Sequence, residues 1–279
     1  MAANHATSSY FLALKNEPRL TMQINTSIAA MAVDNNNSTL LYCSEDCLLL
    51  INEQGKEILN IKRNFKVSDM CFSSFLNQFL ILSYKPECAL YSLDPSTHEL
   101  KQIKKFTRII WSCTCYDKTL IVSEADQGSK IEVYDLSADH WNVVQIFTAP
   151  LSCEVDEQIE KIRFNSDGSR LGVILRKGSQ SNYYHWFELR NPNDMTVVST
   201  TTADLGDDQW CWLLPLPNQQ FLATLWRKKK LFLFDSHGVL QETTEYDTNV
   251  KFLNSTALIN SSCLAVQTWK PDELRFYNL

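Results

Sequence analysis

The sequence predicts an all-β chain: a six-bladed β-propeller of four-stranded blades. Three observations predict it. Polar-then-apolar strand onsets recur at intervals of about 40 to 50 residues. Each onset is followed downstream by two bulky apolar residues and a small polar or acidic one. The intervening segments are short, rich in Val, Ile, Phe, Tyr, Trp and Thr, and bounded by turn residues, without helical periodicity.

The onsets are Thr39-Leu40-Leu41-Tyr42, Gln78-Phe79-Leu80-Ile81, Thr119-Leu120-Ile121-Val122, Arg170-Leu171-Gly172-Val173, Gln220-Phe221-Leu222-Ala223 and Cys263-Leu264-Ala265-Val266. The downstream triplets are Leu50-Ile51-Asn52, Leu90-Tyr91-Ser92, Val133-Tyr134-Asp135, Trp186-Phe187-Glu188, Leu233-Phe234-Asp235 and Phe276-Tyr277-Asn278. Apolar triplets are common in β proteins, so the weight lies in two patterns running in step. The fifth unit shows the plan. Trp210 to Leu216, Phe221 to Trp226, Leu231 to Asp235 and Val239 to Glu245 read as successive strands, separated by Pro217-Asn218, Arg227 to Lys230 and Ser236-His237-Gly238. With only seven Gly in the chain, Asn, Asp and Ser carry many turns through local hydrogen bonds and tolerance of positive φ. A twisted four-stranded sheet cannot bury both faces alone, but radial packing against neighbours does so.

The sixth unit ends at Leu279, after its third strand. The alternating segment Leu20 to Ile24 precedes the first unit and is expected to supply the missing outer strand, closing the ring and removing an exposed edge. Residues 19–279 therefore read as one propeller domain. Residues 1–18 form an N-terminal extension in which Tyr10 to Leu14 is a candidate extra strand. Seven blades would need a further complete unit that the sequence lacks.

At 279 residues with 44% hydrophobic content, the chain is long enough for a large core. Its longest apolar runs are far too short to span a bilayer as a helix, and the N-terminus lacks a basic, then apolar, leader pattern. The nine cysteines include several within apolar strands (Cys71, Cys88, Cys211, Cys263). That pattern suits a reducing compartment, the cytoplasm or also the nucleus, better than a disulfide framework. A net charge of −6 speaks against nucleic acid as the main partner.

Phe164 to Leu175, "FNSDGSRLGVIL", resembles the first hairpin of WD-repeat propellers, and Val133-Tyr134-Asp135 resembles the end of their third strand. "KLFLFDSHGVLQE", Lys230 to Glu242, is similar to an NHL-type repeat. No unit carries the WD family's Gly-His pair in register or ends in Trp-Asp, so its His–Asp network is not transferred. The resemblance implies a propeller used for protein recognition, and the chain is expected to be a monomeric domain.

Signals for chemistry are weak. Cys43-x3-Cys47 and Cys113-x-Cys115 lack partners at zinc-like spacing. Asp34, Asn36, Ser38 and Glu45 match several calcium-loop positions, but Thr39 occupies the glycine position and no helices flank it, so the segment reads as an Asn-rich turn. Ser169 lies between glycines in a hairpin turn, outside any strand–turn–helix elbow. The five histidines are scattered, and Arg227 to Lys230 reads as a solvated tip. No catalytic residue, metal ligand or cofactor is assigned.

In a propeller, loops from the fourth strand of one blade to the first strand of the next share a face with loops between second and third strands. On that face the sequence places Arg63, Phe65 and Lys66 between blades one and two, and Phe106 and Arg108 between two and three. Glu154, Asp156 and Glu157 fall between three and four, Asp207 and Asp208 between four and five, and Trp269 and Lys270 within blade six. Trp111 and Trp210 begin inner strands at its rim. Aromatics ringed by charge are typical of protein-binding hot spots, and the face is expected to be basic on one side and acidic on the other. Replacing Phe65 and Arg108 together is expected to leave folding intact. The expected function is a non-catalytic protein- or peptide-binding scaffold. The alternative is a metal-dependent lactonase or hydrolase with its site in the central channel. That alternative needs a convergent set of inward acids, for which Asp69 and Glu160 are the candidates.

Overall fold

The recurring apolar onsets fold as the second strand of a four-stranded antiparallel sheet, six times over. A computed structural model of the chain describes residues 8–25, 30–138, 141–179, 182–201, 205, 210–247 and 249–279. Blade one comprises β2 (Met31–Asp34), β3 (Thr39–Cys43), β4 (Cys47–Asn52) and β5 (Glu57–Lys62). Blade two comprises β6 (Lys66–Ser73), β7 (Gln78–Lys85), β8 (Ala89–Leu93) and β9 (Leu100–Lys105). Blade three holds β10 (Ile110–Tyr116), β11 (Thr119–Glu124), β12 (Ile131–Asp135) and β13 (Val143–Phe147). Blade four holds β14 (Glu157–Phe164), β15 (Leu171–Ser179), β16 (Asn182–Arg190) and β17 (Val197–Thr201). Blade five is β18 (Cys211–Pro215), β19 (Phe221–Leu225), β20 (Lys230–Phe234) and β21 (Leu240–Glu245). Blade six is β22 (Phe252–Ile259), β23 (Cys263–Trp269), β24 (Glu273–Asn278) and β1 (Leu20–Gln23).

The ring closes as the alternation of Leu20 to Ile24 requires. β1 pairs antiparallel with β24, Leu20 opposite Phe276 and Met22 opposite Leu274. Strands from both ends of the chain thus share one sheet, which ties down both.

Each seam between neighbouring blades holds its own apolar cluster. Leu41, Phe79 and Ile81 fill the first, Leu82, Cys113 and Leu120 the second, and Ile121, Ile162 and Val173 the third. Phe187, Phe221 and Phe234 fill the fourth, Leu222, Leu253 and Val266 the fifth, and Leu40, Ala265 and Phe276 the sixth. At the fourth seam Gly172 is required by close approach. A Cβ there would lie 2.7 Å from the Phe221 ring, and Phe221 is fully buried.

In blades one to five the small polar residue at the end of the third strand has a definite local cause. Asn52, Asp94, Asp135, Asn191 and Asp235 each accept a backbone N–H two residues on, starting the turn into the outer strand. In blades two and four the structural equivalents are therefore Asp94 and Asn191. The triplets ending in Ser92 and Glu188 lie two and three residues earlier, inside β8 and β16.

Tyr10 to Leu14 does not form an extra strand. It belongs to the helix α1 (Ser9–Leu14). The Ser8 hydroxyl accepts from the Phe11 N–H and caps it. Phe11, fully buried, and Ala13 enter the cluster between blades five and six. The backbone N–H of Ser8 donates to Glu242 of β21 at 2.9 Å. Tertiary burial of one face, rather than intrinsic propensity, sustains so short a helix.

Candidate binding face

The predicted face is built from irregular backbone held by specific side chains. Arg63 donates to the carbonyls of Ser44 (2.7 Å), Glu45 (2.9 Å), Cys47 (3.4 Å) and Phe65, so it braces the loop between blades one and two. Phe65 turns inward. It is 5% exposed, packs in the first seam and stacks on Tyr91 with ring centroids 4.2 Å apart. It is a core residue, which corrects its assignment as a surface contact, and replacing it cannot leave folding intact. Lys66 stays exposed. Phe106 packs half-buried on the second seam. Arg108 is exposed and lies 3.4 Å from Glu124.

On the far side, Asp156 pairs with Lys177 at 2.6 Å, and Glu157 accepts from the backbone N–H of Glu154 at 3.0 Å. The Lys177 contact holds the Asp156 carboxyl below its usual range. These acids thus shape their own loop. Asp207 and Asp208 lie outside the described residues.

A stack of four aromatic rings, edged by the exposed Trp210, sits on blades five and six. Trp210, just before β18, is 40% exposed and lies with its ring centroid 5.0 Å from that of Trp226, just after β19. Trp226 stacks on Phe252 at 4.4 Å and on Trp269 at 5.7 Å, and Phe252 and Trp269 stack at 4.8 Å. Three cations cap the stack: Arg227 5.2 Å from the Trp226 ring centroid, Lys251 5.3 Å from Phe252 and Lys270 5.0 Å from Trp269. Backbone hydrogen bonds from Trp226 to Trp210, Leu253 to Trp226 and Lys251 to Lys270 fix the strand ends that carry these rings. Sequence reading found Trp210, Trp269 and Lys270. It missed Trp226, Phe252 and Lys251, although a Trp directly before an Arg-Lys-Lys-Lys turn was the available signal.

Trp111 belongs to a different arrangement, inside the channel. The inner strands β6, β10, β14 and β22 break register at Ser68, Trp111, Glu160 and Asn254, and β6 has a second shift between Lys66 and Val67. These bulge residues knit blades together. Ser68 donates to the Ile110 carbonyl (3.0 Å), Trp111 Nε1 to Glu160 (3.3 Å), and Trp226 Nε1 to Asn254 (3.0 Å). Below them lies a buried ionic cluster. Arg163 of β14 makes two contacts with Asp69 of β6, at 2.7 and 2.8 Å, and Ser112 of β10 donates to Asp69 at 2.7 Å. Lys161 lies 3.6 Å from Asp69 and 3.9 Å above the Trp212 ring.

Burial would raise the Asp69 carboxyl, but the Arg163 and Lys161 charges overcome it and hold it at about 2. Burial lowers Lys161, and it raises Glu160 against the opposing pull of Arg176, 3.0 Å away. The inward acids Asp69 and Glu160 therefore pair with cations from neighbouring strands. Among the described residues, no three His, Cys, Asp or Glu side chains are placed to hold a metal ion. Asp34 accepts from the backbone of Asn36 and Asn37, and Asp167 from Ser169, so both sequence-level candidates are turns.

No family model matches the chain, and no curated protein matches it. Solved structures do. The chain superposes on a chain of the crystal structure of the mitotic checkpoint complex with a TM-score of 0.66 at 10% identity, covering 100% of this chain and 97% of that one. It superposes on the WD40 β-propeller domain of Doa1 with a TM-score of 0.59 at 11% identity, covering 89% of this chain and 78% of that one. The shared feature is the WD40-type propeller fold.

Proposed function

We propose that this propeller is a non-catalytic scaffold that binds a protein or peptide segment on its loop face, working in a reducing compartment of the cytoplasm or nucleus. The observation that carries this reading is the Trp210–Trp226–Phe252–Trp269 stack, with Trp210 exposed and cations seated on the other rings. Large, rigid aromatic surface that is already ordered loses little conformational freedom on binding. Tryptophan and arginine are the residues in which interface energy concentrates. That a structure of the same fold belongs to a multiprotein complex supports a protein partner.

Affinity capture from the native cell extract tests the proposal, comparing the wild type with Trp210→Ala and Lys270→Glu. Both variants should fold and lose the same specifically captured protein. A partner retained by both variants at wild-type levels sinks the proposal.

A further inference from the structure

The central channel is a cup rather than a pore. The buried cluster of Asp69, Lys161 and Arg163 blocks it at mid-height: Asp69 is fully buried and Lys161 is 1% exposed. Beyond this plug, on the face of the first-to-second-strand hairpins, lies a cavity of about 360 Å³. All six inner strands contribute to its wall, so only the closed ring forms it. It opens opposite the face on which the aromatic stack sits.

The lining narrows the chemistry of what would fit. Phe72, Tyr116, Phe164 and Trp212 supply aromatic surface, while the Asn36 amide both donates and accepts hydrogen bonds and the Ser255 hydroxyl, which donates to Gln267, is left to accept. The charged residue in the lining is Arg163. Its guanidinium is committed to Asp69, to Ser112 and to the carbonyls of Cys113 and Ile162. A charged ligand would lose its hydration and meet no available counter-charge. A flat neutral molecule would keep its hydrogen bonds at its edges and place its faces on the aromatic wall. The volume lies at the lower end of the range for small-molecule pockets.

We propose that this cup binds a small, uncharged, planar molecule that carries both hydrogen-bond donors and acceptors. The site is separate from the loop-face scaffold site.

Saturation-transfer NMR on the full chain tests it with three probes of similar size: neutral nicotinamide, anionic nicotinate and cationic benzamidine. Nicotinamide at millimolar concentration should receive saturation, and the two ions should not. Ser74 and Ser166 are exposed on the rim of the cavity. Ser74→Trp or Ser166→Trp should weaken nicotinamide binding by about tenfold, or about 1.4 kcal/mol, with the circular dichroism unchanged. Trp210→Ala, on the opposite face, should leave it unchanged. As a measurement independent of the rim variants, the fluorotryptophan-labelled protein should show a nicotinamide-dependent shift of the resonance that Trp212→Phe removes. Absence of saturation transfer to nicotinamide overturns the proposal. So does equal binding in the rim variants, or binding of nicotinate or benzamidine as strong as that of nicotinamide.

Discussion

Arg163 and Asp69 stand 94 residues apart in sequence and two blades apart in the ring, yet join by two hydrogen bonds of 2.7 and 2.8 Å. Their contact passes over blade three, whose Ser112 hydroxyl donates to Asp69 and accepts from the Ile162 N–H. One carboxylate thus fastens three consecutive inner strands. Each seam between adjacent blades otherwise holds its own apolar cluster.

Replacing Asp69 with Asn should therefore destabilise the fold strongly. It leaves the Arg163 charge buried without its counter-charge, and Lys161 loses its nearest anion. Breaking such a buried pair typically costs about 3 to 5 kcal/mol. Urea unfolding at neutral pH should show this loss in the variant. A loss below 1 kcal/mol would mean that water or neighbouring groups replace the carboxylate.

The same pair predicts an acid dependence. In the folded chain Asp69 is held at about 2, whereas an unfolded aspartate titrates near about 4. A depressed carboxylate contributes stability that is fully present above the unfolded value and is lost as pH falls through the folded one. The stability gap between wild type and Asp69→Asn should thus stay constant down to about pH 4 and close towards about pH 2. Glu160, which burial raises, acts with the opposite sign in both proteins, and only the smaller part of its shift that the Asp69 charge contributes enters the difference. Paired urea titrations across this range measure the gap, and a gap independent of pH would contradict the assignment to Asp69.

The architecture was legible in the sequence because it is local and repeated. A strand onset, a turn acceptor and an alternating closing strand each depend on a few neighbouring residues. The triplet ending at Glu188 fell three residues short of Asn191 because β15 and β16 are longer than their counterparts, and apolar residues fill the extra length. The helix α1 was missed for a different reason. "SYFLAL" has no decisive period, and its conformation is set by the groove that receives Phe11. The channel cluster was hardest to read. Glu160, Lys161 and Arg163 are conspicuous in an apolar strand, but their partner lies across the ring. Phe65 misled because it sits between lysines, and only the closed seam shows that it points inward.

Phe65 and Trp210 should respond to truncation in opposite ways. Phe65→Ala opens a cavity at the first seam and removes the stack on Tyr91, a change that typically costs about 3 to 5 kcal/mol. Trp210 keeps 40% of its surface exposed, and its removal should cost about 1 kcal/mol or less. Chemical denaturation separates the two directly. In a capture assay, Trp210→Ala should lose the partner while remaining folded. Phe65→Ala should lose it only in proportion to unfolded protein, and a stable Phe65→Ala variant would return that residue to the surface.

The N-terminal helix should be part of the fold's stability rather than a passive tail. Phe11 is fully buried between blades five and six, against residues that include Leu222, Leu231 and Val266. Phe11→Ala should cost about 3 to 5 kcal/mol if the groove cannot collapse. Leu12, on the other face of the same helix, is 49% exposed, so Leu12→Ala serves as a matched control with little effect. The helix also precedes the closing strand β1, whose pairing with β24 completes blade six. Loss of Phe11 should therefore raise amide exchange first in β1 and β24, before the inner strands of blades two to four. Uniform exchange around the ring would show that closure does not depend on this anchor.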